Sequence, residues 1–287
     1  MPGGRLAFSA GLGYNLIEKG GAHMEFRILA VGDVCGDAGV RLLEKNLRQV
    51  KREHSVDFCV VNGENAATVG ILPRQADAIL EAGADVITLG NHSYNRKEIA
   101  GYLDESRWIL RPANDSPRFP GRGAGSFDTK IGPITVMNLI GRCNMSFGPD
   151  NPFLLVDRLL KEYPARITLL DFHAEASSEK LAMGWYLDGK ISALWGTHTH
   201  VPTADNQILP KGTGYVTDLG MTGPIRSVIG IRPEQSIATF RGGLNSRYET
   251  APGPCKLEAV LFTVESTTGR CVNTERIWYH DTDIARG

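Results

Sequence analysis

The stretch Ile191-Ser192-Ala193-Leu194-Trp195-Gly196-Thr197-His198-Thr199-His200 decides how the rest of the chain is read. Its first five residues are apolar but for Ser192 and begin with a β-branched side chain, which reads as a short buried strand. The strand runs into a glycine, and two histidines follow, two residues apart. In extended backbone that spacing puts both imidazoles on one side. Neutral imidazole is the commonest protein ligand for a catalytic transition metal. Alone, the pair reads equally well as two loop histidines with no shared role. Two further strand ends, Asn91-His92 and Asp171-Phe172-His173, also deliver histidine, so four of the seven histidines fall in such places.

The same grammar recurs toward the N-terminus. Phe26 to Val31 reads as a strand ending in Gly32-Asp33, and a helix over Ala38 to Glu53 follows, with Leu42, Leu43, Leu47 and Val50 at helical spacing. Asp33 therefore sits where a strand hands over to a helix, either as a helix cap or at the sheet edge where ligands bind in α/β folds. Asp57 to Val61 is a second strand, ending in Asn62-Gly63-Glu64-Asn65. Ala84 to Leu89 is a third, ending in Gly90-Asn91-His92.

Arg111 to about Gly125 is Pro/Gly-rich and reads as a surface loop. Arg142, after the strand Ile134 to Ile140, reads as an exposed arginine or as a contact for an anionic substrate. Helices are expected over Pro152 to Glu162, Ser177 to Leu187 and Pro233 to Phe240. Gly220-Met221-Thr222-Gly223-Pro224 reads as a glycine-rich loop, and Leu257 to Val264 with Val272 to Trp278 as a closing hairpin. Alternating strands and helices give an α/β fold. No internal repeat or low-complexity linker interrupts residues 24–287, and one domain is the simplest reading.

Composition narrows the class. A hydrophobic content of 42% and a charged content of 22% are ordinary for a soluble globular protein. The net charge of −1 gives no general basic face, so duplex nucleic acid is not an expected partner. Five scattered cysteines without a C-x-x-C argue against a disulfide framework or thiolate zinc site, and fit the cytoplasm. No apolar run approaches the about 18–20 residues of a membrane span. Residues 1–23 are glycine-rich and lack the apolar core of a signal peptide. They read as a disordered extension, or as preceding a native start at Met24.

Asp33, Glu64, Asn65, Asn91, His92, His173, His198 and His200 each lie at or just beyond the end of an apolar strand. In adjacent strands such ends converge on one rim. Three imidazoles, two carboxylates and one or two amide oxygens exceed what one four-coordinate zinc takes. They suit two metal ions about 3.5–4 Å apart. A nitrogen and oxygen set without thiolate favours Fe, Mn or Zn. Such a centre carries surplus positive charge and attracts an anion, phosphate being the usual one.

Gly32-Asp33, Gly63-Glu64-Asn65, Gly90-Asn91-His92 and Gly196-Thr197-His198-Thr199-His200 resemble the ordered blocks of the calcineurin-like metallophosphoesterases. Asn62-Gly63-Glu64-Asn65, Asp171-Phe172-His173-Ala174-Glu175, Thr197 to Val201 and Asp218 to Pro224 resemble its bacterial YmdB-type branch. Two departures from the wider pattern fit that branch: Val34-Cys35 where Asp-x-His is usual, and Glu64 for the usual bridging aspartate.

The resemblance implies a metallophosphoesterase-like two-sheet sandwich flanked by helices, with the metals at one rim. It implies that Asp33, Asn65 and His200 hold one ion and Asn91, His173 and His198 the other. Glu64 bridges, and His92 donates a proton to the leaving oxygen while a metal-bridging hydroxide attacks phosphorus. The implied substrates are 2′,3′-cyclic nucleotides and related phosphodiesters, and the implied assembly a homo-oligomer. Phe147, Trp185 and Tyr94 are aromatics available to stack a base. The competing readings are a phosphomonoesterase or 5′-nucleotidase on the same centre, and a nucleotide-binding regulator with little turnover. A mononuclear amidohydrolase barrel also uses H-x-H on a strand, but near its first strand rather than late in the chain.

Overall fold

The computed structural model describes residues 24–145, 148–244 and 247–281. The N-terminal segment 1–23 and Phe147 lie outside the described residues. In chain order the first elements are β1 (Glu25–Val31), β2 (Asp33–Val34), α1 (Gly36–Glu53), β3 (Phe58–Asn62), α2 (Pro73–Ala82), β4 (Val86–Thr88), α3 (Ile99–Glu105) and β5 (Ile109–Leu110). Then come β6 (Ala124–Thr129), β7 (Gly132–Ile140), α4 (Pro152–Glu162), β8 (Thr168–His173), α5 (Ser177–Leu187) and β9 (Ala193–Thr197). The chain continues through β10 (Gln207–Ile208), β11 (Gly214–Val216), β12 (Met221–Pro224), α6 (Pro233–Phe240), β13 (Cys255–Glu265) and β14 (Cys271–His280).

The strands form two sheets. One runs in the order β2-β12-β13-β1-β3-β4-β5 with β14 on β13, and the other β10-β11-β9-β8-β7-β6. β1, β3, β4 and β5 are parallel, as are β7, β8, β9 and β11. The last hairpin does more than close the chain: β13 pairs antiparallel with β1 from Glu25–Glu265 to Val31–Ala259, inside the first sheet.

Side-chain alternation explains the layers. From β1, Phe26, Ile28 and Ala30 face the second sheet, while Leu29 and Val31 face α1 and α2. From β8, Leu169 faces inward, while Leu170 and Phe172 pack on Val156 of α4 and Met183 and Leu187 of α5. The result is the α/β two-sheet sandwich flanked by helices. Between the sheets, Trp195 stacks on Phe262 with ring centroids 5.9 Å apart, and Phe58 meets Phe127 at 6.2 Å.

Two stretches differ from the sequence reading. The glycine-rich 220–224 is not a loop: β12 pairs parallel with β2 through Met221–Asp33 and antiparallel with β13. A Cβ on Gly32 would lie 2.3 Å from the Gly220 carbonyl oxygen, so glycine permits two strands to meet there. The 111–125 stretch is not a plain surface excursion. Asn114 Nδ2 donates to the carbonyls of Ile140 (2.8 Å) and Asp150 (2.9 Å), and β6 begins at Ala124. Proline and glycine content signals loss of regular structure, but not the buried amide that anchors the loop.

Phe262 is fully buried between the sheets. Phe262→Ala is expected to cost about 3–5 kcal/mol, from lost transfer energy and the cavity left beside Trp195. Urea denaturation monitored by tryptophan fluorescence checks this.

Candidate active site

Strand ends from both sheets meet at one rim. Asp33 opens β2; Glu64 and Asn65 follow β3; Asn91 and His92 follow β4; His173 ends β8; His198 and His200 follow β9. Asp33, Glu64 and His173 are fully buried, Asn65 and His200 nearly so, while Asn91, His92 and His198 are partly open. Asp33 is not a helix cap. Cys35 occupies the cap position of α1, and Asp33 Oδ2 accepts the His198 backbone N–H at 3.2 Å.

The contacts fall into two groups joined by Glu64. Asn65 Nδ2 lies 3.2 Å from His200 Nε2, which is 3.8 Å from Asp33 Oδ1. His173 Nε2 lies 3.0 Å from Asn91 Oδ1 and 3.1 Å from His198 Nδ1. Glu64 Oε1 stands between them, 3.0 Å from Asn65 Nδ2 and 3.2 Å from His173 Nε2. Single atoms of Glu64, His173 and His198 all lie within 4.8 Å of one another. A Cβ on Gly90 would sit 2.2 Å from both Glu64 Oε2 and His173 Nε2, so only glycine leaves the rim open there.

The hydrogen bonds also set the tautomers. His200 Nδ1 meets the Ile229 carbonyl at 2.9 Å, an acceptor, so Nδ1 carries the proton and Nε2 turns its lone pair inward. Thr197 Oγ1 donates to Asp171 Oδ1 at 2.7 Å and so accepts from His173 Nδ1 at 2.9 Å. That leaves His173 Nε2 as the inward nitrogen. His198 Nε2 lies 3.2 Å from Glu175 Oε2, which leaves Nδ1 inward. All three rings thus have the outer nitrogen held by oxygen and the inner one directed at the cluster, the arrangement a ligating histidine requires. Asp33 Oδ1 is buried without a hydrogen-bond partner. A donor set of inward lone pairs around an unsatisfied carboxylate oxygen fits a cation.

Backbone conformation at the H-x-H pair differs from the sequence reading. Both histidines lie past the end of β9 with left-handed backbone, φ 101° at His198 and 63° at His200. Strand alternation therefore does not aim the rings. A strained turn does, of the kind that costs on the order of 1–3 kcal/mol and gathers at functional sites.

Electrostatics couples the groups. Burial raises the Asp33 carboxyl to about 6, although His200 and His173 oppose the shift. Burial acts the same way on Glu64, but contacts with His173 and His92 outweigh it and hold that carboxyl well below its usual range. Burial disfavours charge on His173, yet Glu64 and Asp33 raise it overall. His200 is likewise raised against burial, by Cys35, Asp33 and the Ile229 carbonyl. Burial and then His173 lower His198 to about 3.

Several supporting residues had escaped the sequence reading. Asp171 accepts from Thr88 Oγ1 (2.5 Å) and Asn62 Nδ2 (3.0 Å), binding the ends of β3 and β4 to β8. Lys180 Nζ donates to Asp218 Oδ2 at 2.7 Å in full burial. Asp218 also accepts the N–H groups of Thr199 (3.2 Å) and Gly220 (2.9 Å), so it clamps the H-x-H turn to β12. Glu179 accepts the backbone N–H groups of Arg142 and Cys143, while the Arg142 residue itself is exposed. A carboxylate or lysine buried in a run that reads as a helix start was the one available signal, and periodicity does not flag it.

Two cavities flank the cluster. One of about 500 Å³ is lined by Cys35, Asn65, His92, His200, Ile229 and Tyr248, among others. The other, about 560 Å³, is bounded by Asn91, Tyr94, Asn114, Asp115 and Phe119. Tyr94 reaches it, packed on Phe119 at 4.9 Å, whereas Trp185 is exposed on α5. Among the described residues no helix is long and apolar enough to cross a membrane.

The two-sheet sandwich with this polar rim is the fold of the metallophosphoesterases, and comparison with known proteins agrees. The chain belongs to the YmdB-like protein family, whose pattern matches residues 29–277. It is 42% identical over 260 residues to a Bacillus subtilis (strain 168) protein named 2′,3′-cyclic-nucleotide 2′-phosphodiesterase, covering 89% of this chain and 97% of that one. The crystal structure of a novel phosphatase from Mycoplasma pneumoniae superposes with a TM-score of 0.85 at 34% identity, covering 92% of this chain and 98% of that one. A hypothetical protein from Thermus thermophilus gives 0.84 at 38% identity, covering 89% of this chain and 100% of that one.

Lys180→Met would leave the buried Asp218 carboxylate without its cation. A loss of about 3–5 kcal/mol of stability is expected, measured as a shift in the denaturation midpoint at constant m.

Proposed function

We propose that the protein is a dinuclear-metal phosphodiesterase acting on 2′,3′-cyclic nucleotides or related small phosphodiesters. The observation that carries this reading is the pair of contact groups sharing Glu64, with three imidazole lone pairs and Asp33 Oδ1 turned inward. The name of the Bacillus subtilis relative, a 2′,3′-cyclic-nucleotide 2′-phosphodiesterase, supports the substrate class. Asp33, Asn65 and His200 would hold one divalent ion and Asn91, His173 and His198 the other, with Glu64 common to both; Asn65 turns its amide nitrogen to Glu64 and His200, so its oxygen would face an ion only with the amide turned over. Iron, manganese or zinc suits such donors. Bound there, the ions supply Lewis acidity, lowering the pKa of water and offsetting phosphate charge.

The remaining chemistry falls to the chain. His92 Nδ1 is fixed 3.0 Å from Asn65 Oδ1, and its backbone N–H donates to Glu64 Oε2 at 3.2 Å. Its ring is partly exposed on the wall of the cavity that also contains His200. With Nδ1 engaged, Nε2 is the nitrogen that delivers a proton to the departing sugar oxygen. Glu175, Thr197 and the Ile229 carbonyl hold the other three rings in the ligating tautomer. The unpaired cysteines suit a cytoplasmic setting. A phosphomonoesterase remains the second reading, since the Mycoplasma pneumoniae structure is described as a phosphatase.

Metal analysis paired with hydrolysis of a 2′,3′-cyclic nucleotide and its monoester tests the reading. The purified enzyme is expected to hold close to two ions and to prefer the cyclic diester. His92→Ala should keep both ions and lose about 10²–10⁴-fold in kcat. His198→Ala should lose metal and activity together. Preference for the monoester would establish the second reading, and metal binding without turnover a regulator.

A pH dependence also follows. Glu64 and Asp33 beside His173, and Cys35 and Asp33 beside His200, favour proton uptake by both rings, so protons compete with a cation for their inward nitrogens. Loading must displace these protons, so metal affinity is expected to rise with pH until both rings are neutral. Titration calorimetry in buffers of different ionisation enthalpy should report proton release. Heats independent of the buffer would contradict it.

A further inference from the structure

The 500 Å³ cavity beside His92 and His200 does not end at the reactive centre. Thr68, Val69 and Tyr248 on its wall also line a smaller cavity of about 200 Å³, whose other side is formed by Asn95, Arg96 and Arg247. Thr68, Arg96 and Arg247 in turn line a third cavity of about 700 Å³, together with Arg41 and Arg74. The three cavities adjoin through these shared residues, in sequence from the cluster past Tyr248 to four arginines, and together are called the trench below.

The far end is cationic in a protein of net charge −1. Four arginines face two acids there, Asp37 and Glu98. Asp37 is engaged by Gln75 Nε2 at 2.6 Å and Arg74 Nη2 at 3.3 Å. Arg96 Nη2 donates to the Ala67 carbonyl at 2.8 Å, while its Nε is buried with no hydrogen-bond partner. Guanidinium groups in excess over acids recognise phosphate oxygens. Nothing in hydrolysis of a lone cyclic phosphate uses them.

We infer that this trench is a second phosphate subsite, and that the substrate is a single-stranded nucleotide chain whose terminal phosphodiester reaches the metal centre while its next phosphate lies among Arg247, Arg96 and Arg41. Tyr248 stands between the two ends, where a nucleoside lies between two phosphates, and offers a ring for stacking. The trench is local, so it accepts one flexible strand without the broad basic face a duplex requires. The inference rests on the phosphodiesterase reading above and names its substrate class.

Steady-state kinetics on three substrates test it: a nucleoside 2′,3′-cyclic phosphate, the same compound with a 5′-phosphate, and a 5′-phosphorylated dinucleotide ending in the cyclic phosphate. KM is expected to fall about tenfold when the extra phosphate is added, with kcat little changed, because the contact is equal in ground and transition states. Arg247→Ala should erase that gain and leave the unphosphorylated nucleotide unaffected. Equal KM values across the three, or an equal effect of Arg247→Ala on all, would overturn the inference while leaving the phosphodiesterase reading intact. If none of the three is hydrolysed, that reading fails instead. Fluorescence anisotropy with a labelled 5′-phosphorylated dinucleotide then decides the subsite: weaker binding to Arg247→Ala upholds it, and unchanged binding refutes it.

Discussion

The contact between His173 Nε2 and Glu64 Oε1, 3.2 Å long and wholly buried, ties one sheet to the other at the rim. His173 ends a strand of one sheet and Glu64 follows a strand of the other. Each is held in place by further partners, Asn65 Nδ2 and the His92 N–H on Glu64 and Thr197 Oγ1 on His173. Behind them, Asp171 reaches across the same boundary to Asn62 and Thr88. The hydrophobic sandwich brings the sheets together without direction; these polar contacts set how their edges meet. A shift of the second sheet by one residue would turn His173 toward α5 and Phe172 toward the rim.

The H-x-H turn depends on that frame. Left-handed backbone at two histidines persists only where surroundings over-determine it. Here Asp33 takes the His198 N–H, Asp218 takes the Thr199 N–H, and the Ile229 carbonyl takes the His200 ring. The three acceptors come from three separate parts of the chain. Lys180 neutralises the buried Asp218, so a residue on α5 supports a turn it does not line. Strain at the turn and charge burial beneath it are two sides of one arrangement: the rings are aimed because the backbone is held where it would not rest alone.

Much of this was legible in the chain. Apolar runs, each ending in a glycine and a polar residue, located β1, β3, β4 and β9 and the side chains at their ends, because burial in a parallel sheet imposes just that pattern. Helices α4, α5 and α6 were readable too, α5 with its end placed only at about Leu187. What escaped depends on distant partners. β12 is a strand because β2 and β13 lie on either side of it, although Gly220 and Gly223 read as a loop. The Lys180–Asp218 pair joins residues 38 apart in sequence, and Asp171 bonds to groups 83 and 109 residues away. No local pattern encodes such pairings.

Net charge illustrates the same limit. A value of −1 sums the whole chain and rightly removes a general basic face. It says nothing about where the charges lie. Arg41 and Arg74 belong to α1 and α2, Arg96 precedes α3, and Arg247 follows α6, so they are scattered in sequence yet share one trench. The field in a cleft is set by the charges on its walls and the low dielectric behind them, not by the molecular total. In the proposed binding mode the arginines hold the next phosphate of the strand while its terminal phosphodiester reaches the histidine cluster.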